Sequence, residues 1–214
     1  MSWTRRIARG LVSHGIIPDE DLEIYEFGAG QLLFQAINVI TTVGIALLCG
    51  MLPQCLLFLA SYIPLRSFAG GFHAKTQIRC YILSNVMIVA ALCAIRMAPA
   101  AAWVCLLLTL PGASVIFLLA PVQDRNKPLS EQERLVYRRR SRWILLALVL
   151  ICAGSFVIGR PVWALCIGTA VSALSIMLLL GVLKNWAYAR GSRKDHGRPA
   201  NKSQGLNWGN KEFL

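Results

Sequence analysis

A histidine and a cysteine seven residues apart are the side chains of this sequence best suited to nucleophilic catalysis. His73 and Cys80 lie in the polar stretch RSFAGGFHAKTQIRC, residues 66–80, which interrupts an otherwise apolar chain. An imidazole within hydrogen-bond reach of a thiol can take its proton and later return that proton to a leaving amine. The residue types are those of a Cys–His dyad, although spacing alone favours the plainer interpretation that both are ordinary loop residues.

The surroundings of Cys80 favour a reactive thiol, but they also impose a condition on the backbone. The residue follows KTQIR and opens an apolar run, so helix N–H groups and nearby cations should favour the thiolate. Along one helix, seven residues span about 10.5 Å, whereas a base must come within about 3 Å of the sulfur. Because Gly70 and Gly71 allow a bend before His73, we predict a broken or re-entrant segment around residues 64–80.

The group that would orient His73 is left open by the sequence, because no acidic residue occurs from Phe27 to Gln123. We therefore expect a dyad and not a charged triad. The neutral candidates and the more distant acids are Ser67, Gln77, Ser84, Asn85, Glu26 and Asp124. The neighbouring cations Arg66, Lys75 and Arg79 are interpreted first as anchors to the inner leaflet.

The elements that must position this stretch are membrane helices. The 214 residues are 56% hydrophobic and 15% charged, with a mean hydropathy of +0.57, which is atypical of a water-soluble domain. Apolar runs of about 17–25 residues can cross a bilayer core. The runs are residues 29–51, 80–98, 100–120, 142–159 and 161–183, with a shorter sixth run at 53–65 that either stops short or continues through the polar stretch. The fold class predicted is an all-α polytopic membrane protein with about six transmembrane helices.

The net charge of +12 fits membrane topology better than nucleic-acid binding. If the chain starts inside and crosses six times, 20 of its 22 Lys and Arg residues lie on the inner side, and only Arg96 and Arg160 lie near outer turns. This positive-inside pattern predicts cytoplasmic termini and puts residues 66–80 at the cytoplasmic face.

The predicted organisation has three parts: a polar lead at 1–28 with a short amphipathic helix, a six-span catalytic domain at 29–190 and a flexible cytoplasmic tail at 191–214. Pro111 and Gly112 should kink the fourth run, and Ser130 with Glu133 forms a capping-box signature before the fifth. The other six cysteines are dispersed in apolar runs without ligand-like spacing. We predict no metal, no cofactor and no disulfide framework.

Two stretches together resemble the signatures of a known family. RSFAGGFHAKTQIRC has an Arg, small residues and Gly before His-Ala, with Cys seven residues after the His. LAPVQDRNKPLS, residues 119–130, has Ala-Pro followed by a basic run and Lys-Pro. Both motifs, in this order, are similar to those of the accessory gene regulator B (AgrB-like) family of membrane cysteine endopeptidases.

The resemblance implies an activity and residue roles. Family members cut the C-terminal tail from a quorum-sensing propeptide and close a thiolactone or lactone ring. Cys80 would be the nucleophile and His73 the general base, while Arg66 and Gly71 would support the site. Gly70, Lys75, Gln77 and Arg79 surround that site, and Lys127–Pro128 matches the second marker without a role that the residues themselves explain.

The resemblance also implies a short amphipathic propeptide as the substrate, a second copy of the chain as a homodimer partner, and a bacterial cell membrane. Contact with membrane lipid follows from the apolar runs, and the placement of the charges argues against nucleic acid as a partner. A non-catalytic membrane exporter or scaffold is the alternative, with Pro111–Gly112 as a gating kink. Its weakness is that the spans carry no acid for an ion or proton relay.

Overall fold

The protein is a bundle of helices, known here from a computed structural model that describes residues 3–13, 15–72, 76–123 and 130–196. A 3-10 turn at Asp19–Asp21 separates the first two helices, and the described residues contain no β-strand. The helices are α1 (Trp3–Ser13), α2 (Leu22–Leu48), α3 (Leu52–Ala69), α4 (Gln77–Met97), α5 (Ala102–Leu119), α6 (Glu131–Val157) and α7 (Pro161–His196). The all-α membrane fold is thereby confirmed.

Among the described residues, five helices, α2 and α4 to α7, are long and apolar enough to cross a membrane. Helix α3 is the sixth predicted span and extends beyond its apolar run at 53–65, through Pro64 and Arg66, to Ala69. Its 18 residues correspond to roughly 27 Å, close to the thickness of a hydrocarbon core of about 30 Å. The polar last turn of α3 therefore lies near one surface of the predicted membrane.

Helix α7 is the centre of the bundle. In the most apolar segment of α7, 67% of the residues are buried, whereas 28% or fewer are buried in the corresponding segment of each other candidate span. Helix α7 is therefore the helix that its neighbours surround. Two glycines bring α5 and α7 close: a Cβ on Gly112 would lie 3.0 Å from Val171, and one on Gly168 would lie 2.9 Å from Thr109. Close backbone approach through small residues is typical of packing between membrane helices.

Helix α5 continues through Pro111, where the sequence predicts a kink. Pro111 has no N–H to donate to the Leu107 carbonyl. One residue further on, the Ser172 hydroxyl of α7 donates to the Leu108 carbonyl at 2.7 Å. A side chain of the neighbouring helix thus donates to the backbone carbonyl next to the one that Pro111 leaves without its helical donor.

The capping box and the amphipathic helix predicted for the polar segments are both present. Ser130 accepts from the Glu133 N–H, and the Glu133 carboxylate accepts from the Ser130 N–H, so the capping box starts α6. Helix α1 is amphipathic and packs against α2, where Arg5 lies 3.8 Å from Glu26. His14, which follows α1, lies outside the described residues.

Helix α7 extends further than the sequence suggests. The composition predicts a flexible tail from residue 191, yet the helix reaches His196. No proline follows until Pro199, so nothing in the sequence of this stretch prevents helical hydrogen bonding from continuing. The rest of the predicted tail lies outside the described residues.

The contact between α5 and α7 can be tested by adding bulk at Gly112. The Gly112→Val substitution places side-chain atoms against Val171 and the Ser172 backbone, and should destabilise the protein by about 1–3 kcal/mol. Gly154→Val in α6 is the matched control, because a Cβ added at Gly154 would have no atom within 4 Å. Thermal unfolding in detergent should show a lower midpoint for Gly112→Val alone; equal midpoints for the two variants would contradict this packing.

Candidate active site

The candidate site lies at the polar end of the bundle, which we define as the end where α3 and α5 stop and α4 and α6 begin. Helix α3 ends at Ala69, the described chain is not helical from Gly70 to Phe72, and α4 starts at Gln77. Gly70 has φ +75° and Gly71 has φ +129°, conformations that residues with a side chain rarely adopt. The predicted break in the helix before Cys80 is confirmed.

The Arg66 guanidinium holds this turn in place. Its Nη1 donates to the Gly70 carbonyl at 3.1 Å, and its Nη2 donates to the Phe72 carbonyl at 2.6 Å. A Cβ on Gly71 would contact the guanidinium directly, so the residue between the two carbonyls has to be glycine for Arg66 to reach both. Arg66 is therefore a structural clamp on the residues that immediately precede His73.

The second motif pairs with this turn through backbone atoms. The Val122 N–H donates to the Ala69 carbonyl at 3.0 Å, and Gly70 and Val122 form an isolated parallel bridge. A Cβ on Gly70 would collide with the Val122 carbonyl oxygen. The two stretches that carry the family resemblance, more than fifty residues apart, thus meet; we call residues 66–72 and 120–123 together the motif junction.

Helix α7 forms one wall of the motif junction. The Phe72 N–H donates to the Met177 carbonyl at 3.0 Å, and the Lys184 ammonium lies 5.3 Å from the centre of the Phe72 ring. A Cβ on Gly181 would lie 3.0 Å from the Gly71 carbonyl carbon. The turn before His73 is consequently fixed by α7 as well as by Arg66.

Sequence reasoning missed the residues of α7 that support the site. Asn185 donates from Nδ2 to the Gln123 carbonyl at 2.9 Å, which ties the second motif to α7. An asparagine and a glycine near the end of an apolar helix were the available signals. Neither residue type shows which other segment of the chain it contacts, because that depends on the tertiary packing.

Cys80 lies in the first turn of α4. Thr76 is the N-cap: its Oγ1 accepts from the Arg79 N–H at 3.4 Å, and its carbonyl accepts from the Cys80 N–H at 3.1 Å. The Cys80 side chain is exposed, as is that of Arg79. Cys80 therefore lies where the N–H groups of a helix N-terminus carry a partial positive charge.

Contacts with α2 fix the start of α4. The Tyr81 and Thr41 hydroxyls share a hydrogen bond of 2.8 Å, and the Tyr81 ring packs edge-on against Phe34. The Gln77 amide donates to the Gln31 side-chain oxygen at 3.0 Å. These contacts occupy Gln77 and restrict movement of the turn that carries Cys80.

Four of the predicted site residues, His73, Lys75, Lys127 and Pro128, lie outside the described residues, as does Asp124. The approach of His73 to Cys80 stays a prediction. Among the candidates to orient His73, the Ser67 hydroxyl donates to the Ile63 carbonyl, and Asn85 donates to the Tyr81 carbonyl while its side-chain oxygen is buried without a partner among the described residues.

Exposure alone does not single out Cys80 among the seven cysteines. Cys55, Cys105, Cys152 and Cys166 are buried, but Cys49 and Cys93 are exposed like Cys80. Cys93 lies within α4, and Cys49 follows α2 at the opposite end of the bundle, where its carbonyl accepts from Arg96. Cys80 differs from both because it is in the first turn of a helix, eight residues along the chain from Phe72.

Comparison with known proteins shows the family of this chain. The sequence profile described as Accessory gene regulator B matches residues 4–184, which include both motifs and all six predicted spans. The chain belongs to the accessory gene regulator B family. No solved structure matches it.

Curated relatives carry the same family name. An AgrB-like protein of Listeria monocytogenes serotype 4a (strain HCC23) is 28% identical over 117 residues, which are 54% of this chain and 57% of that protein. The accessory gene regulator protein B of Staphylococcus saprophyticus is 28% identical over 119 residues, 56% of this chain and 62% of that protein. The match thus spans about three-fifths of the length of these relatives.

The two exposed cysteines at opposite ends allow the predicted orientation of this family member to be tested. A membrane-impermeant maleimide should label Cys80 in inside-out vesicles and Cys49 in right-side-out vesicles, with the labelled peptides identified by mass spectrometry. Buried Cys166 should remain unlabelled in both preparations until the protein is denatured, because the reagent cannot reach it. Labelling of Cys80 from the outer side would contradict a cytoplasmic site.

Proposed function

We propose that the protein is a cysteine endopeptidase of the cell membrane that removes the C-terminal tail of a short propeptide and cyclises the remainder. Cys80 is the nucleophile and His73 the general base of a Cys–His dyad, without a metal or cofactor. The termini and the site face the cytoplasm, where the propeptide is made. The relatives named AgrB and AgrB-like support the assignment at the level of the family.

The observation that carries the proposal is the meeting of the two motifs, the first of which continues along the chain to Cys80. The first motif ends at Cys80, the second begins at Leu119, and Val122 is hydrogen bonded to Ala69 in the first. A protein in which these stretches served only as loops would have no need of two glycines and an arginine fitted to one another. Such fitting is typical of a site whose backbone has to be held in one geometry.

The first chemical step forms an acyl-enzyme. His73 takes the thiol proton, and the Cys80 sulfur attacks the carbonyl carbon of the scissile peptide bond. The C–N bond breaks, and His73 returns the proton to the departing amine, so that the tail leaves with a new amino terminus. The remaining peptide is held as a thioester on Cys80.

The second step closes the ring. A thiol of the bound peptide attacks the thioester carbonyl and passes its proton through His73 to the Cys80 sulfur, which leaves as the regenerated thiol. One thioester replaces another, so the exchange is nearly balanced in free energy; a serine hydroxyl would give a lactone instead. No water enters the product, so ring closure has to be faster than hydrolysis of the thioester on Cys80.

Charges at the polar end suit an acidic propeptide. Arg79 and Arg134 are exposed there, and Lys75 and Lys127 add two further cations in the sequence. An amphipathic peptide on the inner leaflet would be drawn to these side chains by long-range attraction that salt weakens. Arg66 contributes less to this attraction, because its guanidinium is already bonded to two carbonyls.

Substitution of Cys80 tests the proposal directly. The protein is co-expressed with the propeptide encoded by the neighbouring reading frame, and the products are analysed by mass spectrometry. Wild type should release the tail and give a core peptide lighter by one water than the hydrolysed core. Cys80→Ala should lose cleavage by at least about 10³-fold, and His73→Ala by about 10²–10⁴-fold, because these groups form and break the reacting bonds.

Cys93→Ala is the matched control, since Cys93 is an exposed cysteine of the same helix away from the polar end. It should cleave and cyclise like wild type. Retention of cleavage by Cys80→Ala, with the variant inserted normally in the membrane, would refute the enzyme assignment in favour of a non-catalytic exporter or scaffold. If wild type releases only the hydrolysed core peptide, and no core lighter by one water, the cyclisation step is refuted and the endopeptidase assignment stands.

A further inference from the structure

A groove between α5 and α6 is separate from the motif junction and is not used by the proposed chemistry. Its volume is about 940 Å³, within the usual range of about 300–1,000 Å³ for ligand pockets. The apolar wall includes Ala113, Leu118 and Leu146, and one end carries three arginines, Arg138, Arg139 and Arg142. The groove thus combines an apolar length with a concentrated positive charge.

The arginines of the groove are available to a ligand. They form no ion pair with a carboxylate in the part of the chain that the structure describes. The Arg138 Nε is buried, and no described atom accepts a hydrogen bond from it. The Arg142 guanidinium lies 4.1 Å from the centre of the Phe117 ring, and its Nη2 donates to the Phe117 carbonyl at 3.5 Å, which leaves its other N–H groups to a ligand at the rim of the groove. A buried donor without an acceptor is costly unless a bound anion supplies the acceptor.

The position of the groove along α6 indicates the depth of its charged end in the membrane. The first part of α6 is charged, and the helix becomes apolar after Trp143. Tryptophan is enriched at the boundary between hydrocarbon and headgroups, so Arg138, Arg139 and Arg142 lie at the headgroup level of the inner leaflet. The apolar wall then descends along α6 into the hydrocarbon.

The direction of the groove distinguishes a lipid from a peptide. Its lining on α6 extends from Leu135 to Val149, fourteen residues or roughly 21 Å along the helix axis. This axis runs across the membrane, as an acyl chain does, whereas an amphipathic peptide lies in the plane of the interface. Leu118 on the rim is 73% exposed, so the groove opens towards the lipid phase.

From this shape and charge we propose that the groove is a binding site for an anionic phospholipid of the inner leaflet. The phosphate of the headgroup accepts hydrogen bonds from Arg138 and Arg142, and one acyl chain lies on the wall formed by Ala113 and Leu146. Basic pockets between helices on the cytoplasmic side recognise anionic headgroups in this way. A lipid with a net negative charge is preferred to a zwitterionic one because no headgroup cation faces the arginines.

Native mass spectrometry of the full-length protein tests this site. The protein is exchanged from detergent into mixed micelles with equal amounts of phosphatidylglycerol and phosphatidylcholine, and bound lipid is counted. Wild type should retain phosphatidylglycerol in preference to phosphatidylcholine. The double variant R138Q/R142Q should weaken phosphatidylglycerol binding by about tenfold or more, as expected when two cations near an anionic headgroup are removed.

The matched control is R134Q/R190Q, which removes the same charge from exposed residues of α6 and α7 outside the groove lining. It should bind phosphatidylglycerol like wild type, and equal loss in both double variants would overturn the site in favour of general charge attraction. Ala113→Trp, which fills the wall without changing charge, should also release the lipid. Unchanged lipid binding in Ala113→Trp would overturn the groove as the site.

A peptide occupant is a distinguishable outcome of the same experiment. A synthetic acidic amphipathic peptide is added to wild type in the same micelles. Retention of phosphatidylglycerol at saturating peptide supports the lipid site. Displacement of the lipid by the peptide in wild type, with weaker peptide binding in R138Q/R142Q than in R134Q/R190Q, would overturn it and assign the groove to peptide.

Discussion

The two hydrogen bonds from Arg66 to the carbonyls of Gly70 and Phe72 are the constraint on which the polar end of the bundle depends. Carbonyl groups at a helix end near the membrane have few other donors, and each charged hydrogen bond of this kind contributes about 1.5–3 kcal/mol. With the turn fixed, the Ala69 carbonyl faces Val122, and the second motif can pair with the first. Arg66 thereby determines where the residues just before His73 lie.

The motif junction is built largely from backbone atoms, which explains its residue types. Gly70, Gly71 and Gly181 are glycines because a Cβ at each would meet another chain segment or the guanidinium. Helix α7, the most buried helix, passes behind the junction and connects it to the core of the bundle. The proposed mechanism needs a thiol and an imidazole held to a narrow tolerance, and a turn fixed in this way favours such precision.

The features that the sequence predicted correctly are those set by residues close together along the chain. The apolar runs located the spans, Ser130 and Glu133 marked the start of α6, and the glycines indicated the break before Cys80. It did not predict that Val122 bonds to Ala69 or that Asn185 holds Gln123, because contacts between segments more than fifty residues apart arise from tertiary packing. The sequence also left open whether α3 extends through Arg66. A charged side chain fits at this end of the helix because the Gly70 and Phe72 carbonyls accept its hydrogen bonds, and the sequence does not show these contacts.

Hydrogen–deuterium exchange at single amides is the most direct measurement of the central claim. The Phe72 and Val122 amides should be protected in wild type, and Arg66→Lys, which keeps the charge but cannot bond both carbonyls, should speed their exchange by at least about tenfold. The Ala98 amide, which bonds to Ala94 at the other end of α4, should exchange equally in both proteins. The account would be contradicted if the Phe72 and Val122 amides exchanged as fast as exposed amides in wild type, or if their exchange rates were unchanged in Arg66→Lys.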